Sequence, residues 1–213
     1  LTRGMGSSSA ALIGGLMSGN AMAGFPLSTP EMLRMGAEIE KHPDNVAPAL
    51  LGGVQIGIYD QGELVTARVP FPEDINVVLY VPCQTMPTDQ ARNILPPEIQ
   101  RKDAIYNIGR AALLVQCLMT GDLGNLKYAT QDMLHQPDRQ KQFFPMKNII
   151  SAAMASGALG AFLSGAGSSI MALTKGREYT IGYEMADAGM KSGLDGEIVF
   201  TSPTARGAYI EKD

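Results

Sequence analysis

Along the chain, segments whose hydrophobic residues recur about every 3.6 positions alternate with short segments of continuous or alternating hydrophobic residues, which predicts a mixture of helices and strands. The continuous apolar run at residues 75–81 predicts a buried central strand. Two shorter runs surround Asp60-Gln61-Gly62 and predict a hairpin. Because a hairpin excludes a purely parallel sheet, we predict an α+β fold. Helices are predicted over residues 7–23, 28–41, 88–134 with breaks, 145–156 and 179–191, and strands over 54–59, 64–69, 75–81, 159–163, 170–173, 197–201 and 208–210.

The stretch from the start of the second helix to the hairpin carries strong signals for where this helix begins and ends. Ser28 and Glu31 fit a capping box, and Pro30 suits a first helical turn. Pro43 disfavours helical geometry at the residue before it, so we predict that the helix ends there. A loop is then predicted to run to Gly52-Gly53.

The first residues form a glycine-rich loop that opens into a helix, Gly4-Met5-Gly6-Ser7-Ser8-Ser9. Glycine allows positive φ and close backbone approach, and the first helical turn offers unpaired N–H groups to an anion. The loop is neither a P-loop, since no lysine follows, nor a dinucleotide fingerprint, since the third glycine is missing. Phosphate binding and a simple serine-capped helix both remain open interpretations.

Composition restricts the class of protein. With 213 residues, 45% of them hydrophobic and 18% charged, the chain suits one or two globular domains. A net charge of −4 argues against a nucleic-acid partner, and no apolar run reaches the length of about 18 residues that a membrane span needs. Cys83 and Cys117 lack metal-site spacing, which favours a reduced compartment, and we expect the cytoplasm.

Three stretches, in this order, resemble the GHMP small-molecule kinases. They are the loop of residues 4–10, the block HPDNVAPALLGG at residues 42–53 and SGAGSS at residues 164–169. The second block is similar to homoserine kinases in particular. The resemblance implies a GHMP kinase fold, in which residues 1–75 are the later part of the N-terminal ATP-binding α+β domain and residues 76–213 are a ferredoxin-like C-terminal domain.

The resemblance also implies the reaction. The expected activity is ATP-dependent phosphorylation of the L-homoserine hydroxyl in threonine biosynthesis, with ATP and Mg²⁺ as cofactors. The family allows a homodimer. Two alternatives stay open, which are a GHMP kinase for another small alcohol and a non-catalytic protein that binds a metabolite or a partner on the same fold.

The same resemblance suggests roles for individual residues around the loop. Ser8 and Glu38 are expected to ligate Mg²⁺, with Glu40 as the rival carboxylate, because oxygen ligands suit this ion. Asp44 is expected to accept a hydrogen bond from the substrate hydroxyl, and His42 and Asn45 to shape the pocket. Asn45 stands where related kinases carry an aspartate base, so that base is not available here.

Binding of the amino acid is assigned to the second half of the chain. Arg92 and Arg139, with Thr88 nearby, are expected to hold the substrate carboxylate, which an arginine matches with two parallel hydrogen bonds. Gly165 and Gly167 are expected to fold over the phosphates or the substrate. Without the resemblance, the arginines read as surface residues and the glycines as a common hairpin turn.

The chain begins with Leu1, inside the phosphate loop. The resemblance implies a preceding segment with several strands and a first nucleotide-binding motif. We therefore expect the chain to be N-terminally truncated. Expressed alone, it is expected to be poorly soluble and to lack homoserine-dependent ATP consumption.

Overall fold

The computed structural model describes residues 3–85 and 93–211. The chain forms two compact units. The first, here called the hairpin unit, contains Gly6–Phe71 and the segment that begins at Thr204. The second, the sheet unit, contains Pro72–Pro203 and the segment that ends at Met5. Within the described ranges, no helix is long and apolar enough to cross a membrane.

The hairpin unit places three helices beside a two-stranded antiparallel sheet. Its elements are α1 Ser7–Met22, α2 Thr29–Glu40, α3 Val46–Leu51, β1 Val54–Asp60 and β2 Glu63–Val69. The predicted hairpin is confirmed, with Val54 opposite Val69 in the register. Six buried side chains from the three helices form the core: Ile13, Met32, Leu33, Val46, Ala47 and Leu50.

The start of α2 follows the predicted chemistry. Ser28 precedes the helix, and the Glu31 carboxylate accepts hydrogen bonds from the Ser28 backbone N–H at 2.7 Å and the Ser28 hydroxyl at 2.6 Å. The helix ends before Lys41, which takes a left-handed conformation with φ of 65°. The capping box and the predicted end of this helix are therefore confirmed.

Two local predictions in the hairpin unit are wrong. The region predicted as a loop contains α3, because Pro48 falls in its first turn, where no backbone N–H is needed for an intrahelical bond. The strand predicted at residues 208–210 does not form. The segment that begins at Thr204 instead contacts the rest of the unit through isolated backbone hydrogen bonds. The Ala208 N–H donates to the Ala49 carbonyl at 3.1 Å, and the Gly53 N–H donates to the Thr204 carbonyl at 2.8 Å.

The sheet unit contains a four-stranded antiparallel sheet. Its strand order is β4-β5-β3-β6, so the strand predicted as central lies between two neighbours. Together with its helices, this arrangement is the βαββαβ, ferredoxin-like pattern. The elements are β3 Asn76–Pro82, α4 Arg101–Thr120, α5 Leu126–Ala129, α6 Gln136–Gln142, α7 Pro145–Ala155, β4 Gly160–Leu163, β5 Ile170–Thr174, α8 Glu178–Lys191 and β6 Gly196–Thr201.

Helices α7 and α8 pack against this sheet and enclose the core of the unit. Tyr80 of β3 is fully buried, and its hydroxyl donates to the Leu194 carbonyl at 2.6 Å. A Cβ atom on Gly189 would lie 2.4 Å from the Tyr80 hydroxyl oxygen. Helix α8 therefore approaches the sheet closely only because a glycine stands at this position.

Candidate active site

The glycine loop and the start of α1 have the geometry of an anion site. Gly6 precedes the helix with φ of 66°, and a Cβ atom there would lie 3.3 Å from Asn45 Oδ1. No side chain caps the first turn, so side chains leave its N–H groups to other acceptors. Ser8 is exposed, whereas Ser7 is half-buried and Ser9 is buried. Of the three serines, Ser8 is therefore the most accessible to a ligand.

A line of polar side chains begins at Ser8. Its hydroxyl donates to Glu40 Oε1, and Glu40 Oε2 lies 3.9 Å from His42 Nε2. His42 Nδ1 contacts Asp44 Oδ1, which also accepts the Asn45 backbone N–H at 3.0 Å. The Asp44 side chain remains 73% exposed, whereas that of Glu40 is 17% exposed. The arrangement fixes Asp44 in place and leaves it open to solvent.

Glu38, the carboxylate preferred from the sequence, lies elsewhere. Its side chain is 64% exposed and forms an ion pair with Arg34 at 3.9 Å. Residues two apart on a helix point about 200° away from each other, so Glu38 and Glu40 of α2 face different sides. The structure therefore brings the rival, Glu40, to Ser8.

The oxygen pair of Ser8 and Glu40 suits a hard cation. Mg²⁺ is commonly held by one or two protein oxygens, with water and substrate phosphates completing its octahedron. Among the described residues, no group of three or more His, Cys, Asp and Glu side chains could hold a metal ion. The donor set thus fits an ion that arrives with a phosphate ligand.

The loop of residues 164–169 lies in the sheet unit, against the segment that precedes Gly6. Ser164 Oγ donates to the Gly4 carbonyl at 2.7 Å, and Ser169 N–H donates to that of Arg3 at 3.1 Å. A Cβ atom on Gly4 would lie 1.9 Å from the Ser164 carbonyl oxygen. Gly165 has φ of 53° and Gly167 φ of 95°, so both glycines of this loop use left-handed geometry.

Arg139 is buried, with 7% of its surface exposed. Its Nη1 atom donates to the Gly165 carbonyl at 2.7 Å and lies 3.1 Å from His135 Nδ1. The interpretation of this residue as a surface arginine is therefore wrong. Thr88 and Arg92, the other residues expected to bind the amino acid, lie outside the described residues.

Asp132 and His135 adjoin Arg139 and were not singled out from the sequence. Burial lowers the pKa of His135, and the Arg139 charge lowers it further, whereas the Asp132 charge opposes both. Burial alone would raise the pKa of Asp132, but hydrogen bonds from Gln136 N–H, the Asn107 amide and His135 N–H outweigh it and lower that pKa. The available signal was an aspartate shortly before a helix whose second residue is Pro137.

Comparison with known proteins defines the class of this chain. Residues 1–53 match the family described as GHMP kinases N terminal domain, and residues 114–189 match GHMP kinases C terminal. These matches include the glycine loops, the block at residues 42–53 and part of the ferredoxin-like sheet. The fold is that of a GHMP kinase.

The relatives narrow the class further. The chain is 37% identical to the homoserine kinase of Clostridium beijerinckii over 99% of its own length and 70% of the relative's, and 38% identical to that of Carboxydothermus hydrogenoformans over 98% and 68%. The crystal structure of homoserine kinase from Cytophaga hutchinsonii superposes with a TM-score of 0.90 at 28% identity, over 97% of this chain and 68% of that one. The chain belongs to the homoserine kinase family.

Proposed function

We propose that this protein transfers the γ-phosphoryl group of ATP to the side-chain hydroxyl of L-homoserine, which yields O-phospho-L-homoserine for threonine biosynthesis. The observation that carries the proposal is the similarity to homoserine kinases over nearly the whole chain. The two cysteines are free thiols, which agrees with a cytoplasmic reaction.

The glycine loop is assigned to the nucleotide. Backbone N–H groups at Gly4, Met5, Gly6 and residues 7–9 cradle phosphate oxygens, and the dipole of α1 favours their negative charge. Ser8 and Glu40 hold Mg²⁺, for which their oxygen atoms and their contact argue. When bound, the ion neutralises charge on the phosphates.

Asp44 is assigned to the attacking hydroxyl of homoserine. Its carboxylate is held by His42 and by the Asn45 N–H yet remains exposed, as a group that orients a substrate must be. The Asn45 side chain is an amide and cannot take the hydroxyl proton. Catalysis therefore depends on alignment of the hydroxyl and on neutralisation of phosphate charge, which dominate phosphoryl transfer in general.

The carboxylate of homoserine is assigned to Arg139, together with Arg92 and Thr88. Its guanidinium is buried beside the loop of residues 164–169, where its Nη1 atom donates to the Gly165 carbonyl at 2.7 Å. A planar guanidinium can hold a substrate carboxylate through two parallel hydrogen bonds. Gly165 and Gly167 allow the adjoining loop to follow the bound molecule closely.

The test is a turnover assay with purified protein expressed from its complete open reading frame. ADP release is measured with L-homoserine, with L-serine, whose hydroxyl is one carbon nearer the carboxylate, and with 3-aminopropan-1-ol, which lacks the carboxylate. We expect rapid turnover with homoserine only, and a phosphomonoester signal in the ³¹P NMR spectrum of the product. ATP consumption that ignores homoserine, or equal use of the aminoalcohol, would overturn the assignment.

A further inference from the structure

His135 stands in a defined protonation state because of its neighbours. Arginine has only donors, so the 3.1 Å contact between Arg139 Nη1 and His135 Nδ1 requires an unprotonated Nδ1. The ring proton then sits on Nε2, which lies 3.8 Å from Asp132 Oδ2. The Asp132 carboxylate thus stabilises the tautomer that leaves Nδ1 free to accept from Arg139.

Asp132 is itself held firmly at the start of α6. Its Oδ2 atom accepts the backbone N–H groups of His135 at 2.8 Å and Gln136 at 2.7 Å. Its Oδ1 atom accepts the Asn107 amide at 2.6 Å and Leu134 N–H at 3.2 Å. With only 8% of its side chain exposed, this carboxylate has little freedom to move. The group that orients His135 is therefore rigid.

We propose that Asp132 and His135 are positioning residues for the substrate carboxylate. They act through Arg139, whose Nη1 atom has two hydrogens and donates to two acceptors, His135 Nδ1 and the Gly165 carbonyl. Two fixed acceptors on one nitrogen set the plane of the guanidinium, which a two-pronged match to a carboxylate requires. The inference rests on the proposed role of Arg139 in homoserine binding.

The arrangement makes homoserine binding sensitive to pH. A proton on His135 Nδ1 would remove the acceptor and place a second positive charge beside Arg139. Two other charged residues nearby have partners of their own. On α6, Asp138 forms an ion pair with Lys141 at 2.5 Å, and on α4, Arg110 donates a hydrogen bond to the Gln131 side chain at 3.2 Å. The loop of residues 164–169 contains no ionisable side chain. Asp132 and Arg139 are therefore the charges that act on His135 among the described residues.

Two substitutions at position 135 distinguish the contribution of the hydrogen-bond acceptor from that of the bulk of the side chain. Asparagine can place an acceptor oxygen near the position of Nδ1 and does not titrate, whereas leucine of similar size has no acceptor. We expect His135→Leu to raise the KM for homoserine about tenfold, the effect of one lost hydrogen bond to a charged group, with kcat and the KM for ATP nearly unchanged. His135→Asn should restore most of the affinity.

The pH profile supplies a readout that a purely structural role would not change. In the wild type, the KM for homoserine should rise as the pH falls through the folded pKa of His135, which burial holds below the ordinary histidine value of about 6.5, while the substrate carboxylate stays ionised. In His135→Asn that rise should be absent. A flat wild-type profile, or the same acid rise in His135→Asn, would overturn the inference even if the leucine variant fails to fold.

Arg139→Leu distinguishes this inference from the proposed function. If Arg139→Leu and His135→Leu both raise the KM for homoserine, and the double variant is no worse than Arg139→Leu, the two residues act as one unit. A large effect of Arg139→Leu with none of His135→Leu removes only the positioning role. An unchanged KM in Arg139→Leu removes Arg139 from the site and the inference with it.

Discussion

The phase of helix α2 decides which carboxylate faces Ser8. Sequence spacing alone could not choose between Glu38 and Glu40, because the choice depends on how α2 packs beside α1 within the hairpin unit. Glu40 follows a turn of the helix that buries Gly36 and Ala37, and its carboxylate reaches the Ser8 hydroxyl. Glu38 faces solvent with Arg34, where an ion pair contributes little to stability. We therefore propose Ser8 and Glu40, rather than Ser8 and Glu38, as the Mg²⁺ ligands.

Substitution of these two glutamates tests the assignment. Glu40→Gln keeps the shape but removes the charge that attracts Mg²⁺, so kcat/KM for ATP should fall about 100-fold or more, by analogy with the loss of one catalytic electrostatic group. Excess Mg²⁺ should restore part of the activity. Glu38→Gln is the matched control on the same helix and should stay within about twofold, as surface substitutions usually do. The reverse pattern would return the role to Glu38.

Arg139 should control recognition of the carboxylate rather than of the hydroxyl. Arg139→Leu should weaken kcat/KM for homoserine by about 2–5 kcal/mol, the usual cost of truncating one partner of a desolvated charge pair. The slow reaction of 3-aminopropan-1-ol, which has no carboxylate, should change much less. Equal losses with both substrates would indicate a general disturbance of the fold, which a thermal melt of the variant would detect.

The sequence predicted site residues unevenly. The loop at residues 4–9, His42 with Asp44, and Arg139 were singled out through the resemblance to GHMP kinases, because isolated loop residues and arginines leave only weak signals of their own. The burial of Arg139 could not be predicted, because it involves Gly165, which is 26 residues away in the sequence. Its contact with His135 is local, but nothing in the sequence indicated that this histidine is an acceptor. The roles of individual site residues in binding and catalysis stay predictions that the variants above test.

The helices and strands themselves followed the hydrophobic pattern closely. Helix α7, strand β3 and the β1–β2 hairpin lie within a residue or two of their predicted bounds, because each has a strong period and clear breakers at its ends. Helix α3 was missed because Pro43 and Pro48 suggested a loop. Pro48 occupies the first turn, and the Ala47 N–H donates to the Pro43 carbonyl at 2.8 Å.

Packing between α2 and α3 gives a test of the hairpin unit. A Cβ atom at Gly36 would lie 2.8 Å from Val46 Cγ1, and Val46 is fully buried. Gly36→Ala should therefore destabilise the protein by about 1–3 kcal/mol through overpacking, despite the better helix propensity of alanine. Gly14→Ala is the matched control in α1, where nothing described lies within 4 Å, and it should stabilise by about 0.5–1 kcal/mol. Urea unfolding of both variants measures the two effects.

Protonation links Asp132 and His135 to the stability of the protein as a whole. The folded pKa of His135 lies below its unfolded value, so the unfolded state binds a proton more readily. The contribution of His135 to the free energy of unfolding is fully present above about pH 6.5, and it is lost as the pH falls from there through the folded pKa. The folded pKa of Asp132 is also lowered, so its contribution is present above about pH 3.9 and is lost in more acidic solution.

Acid should therefore unfold the protein in two stages. The urea midpoint should be nearly constant from pH 8 to pH 7, decline below about pH 6.5 as His135 binds a proton in the unfolded state, and decline again below about pH 4 as Asp132 does. His135→Asn should remove the first stage and leave the second, because asparagine does not titrate whereas Asp132 remains. A first stage that persists in this variant would show that another group causes it, and that His135 has nearly the same pKa in both states.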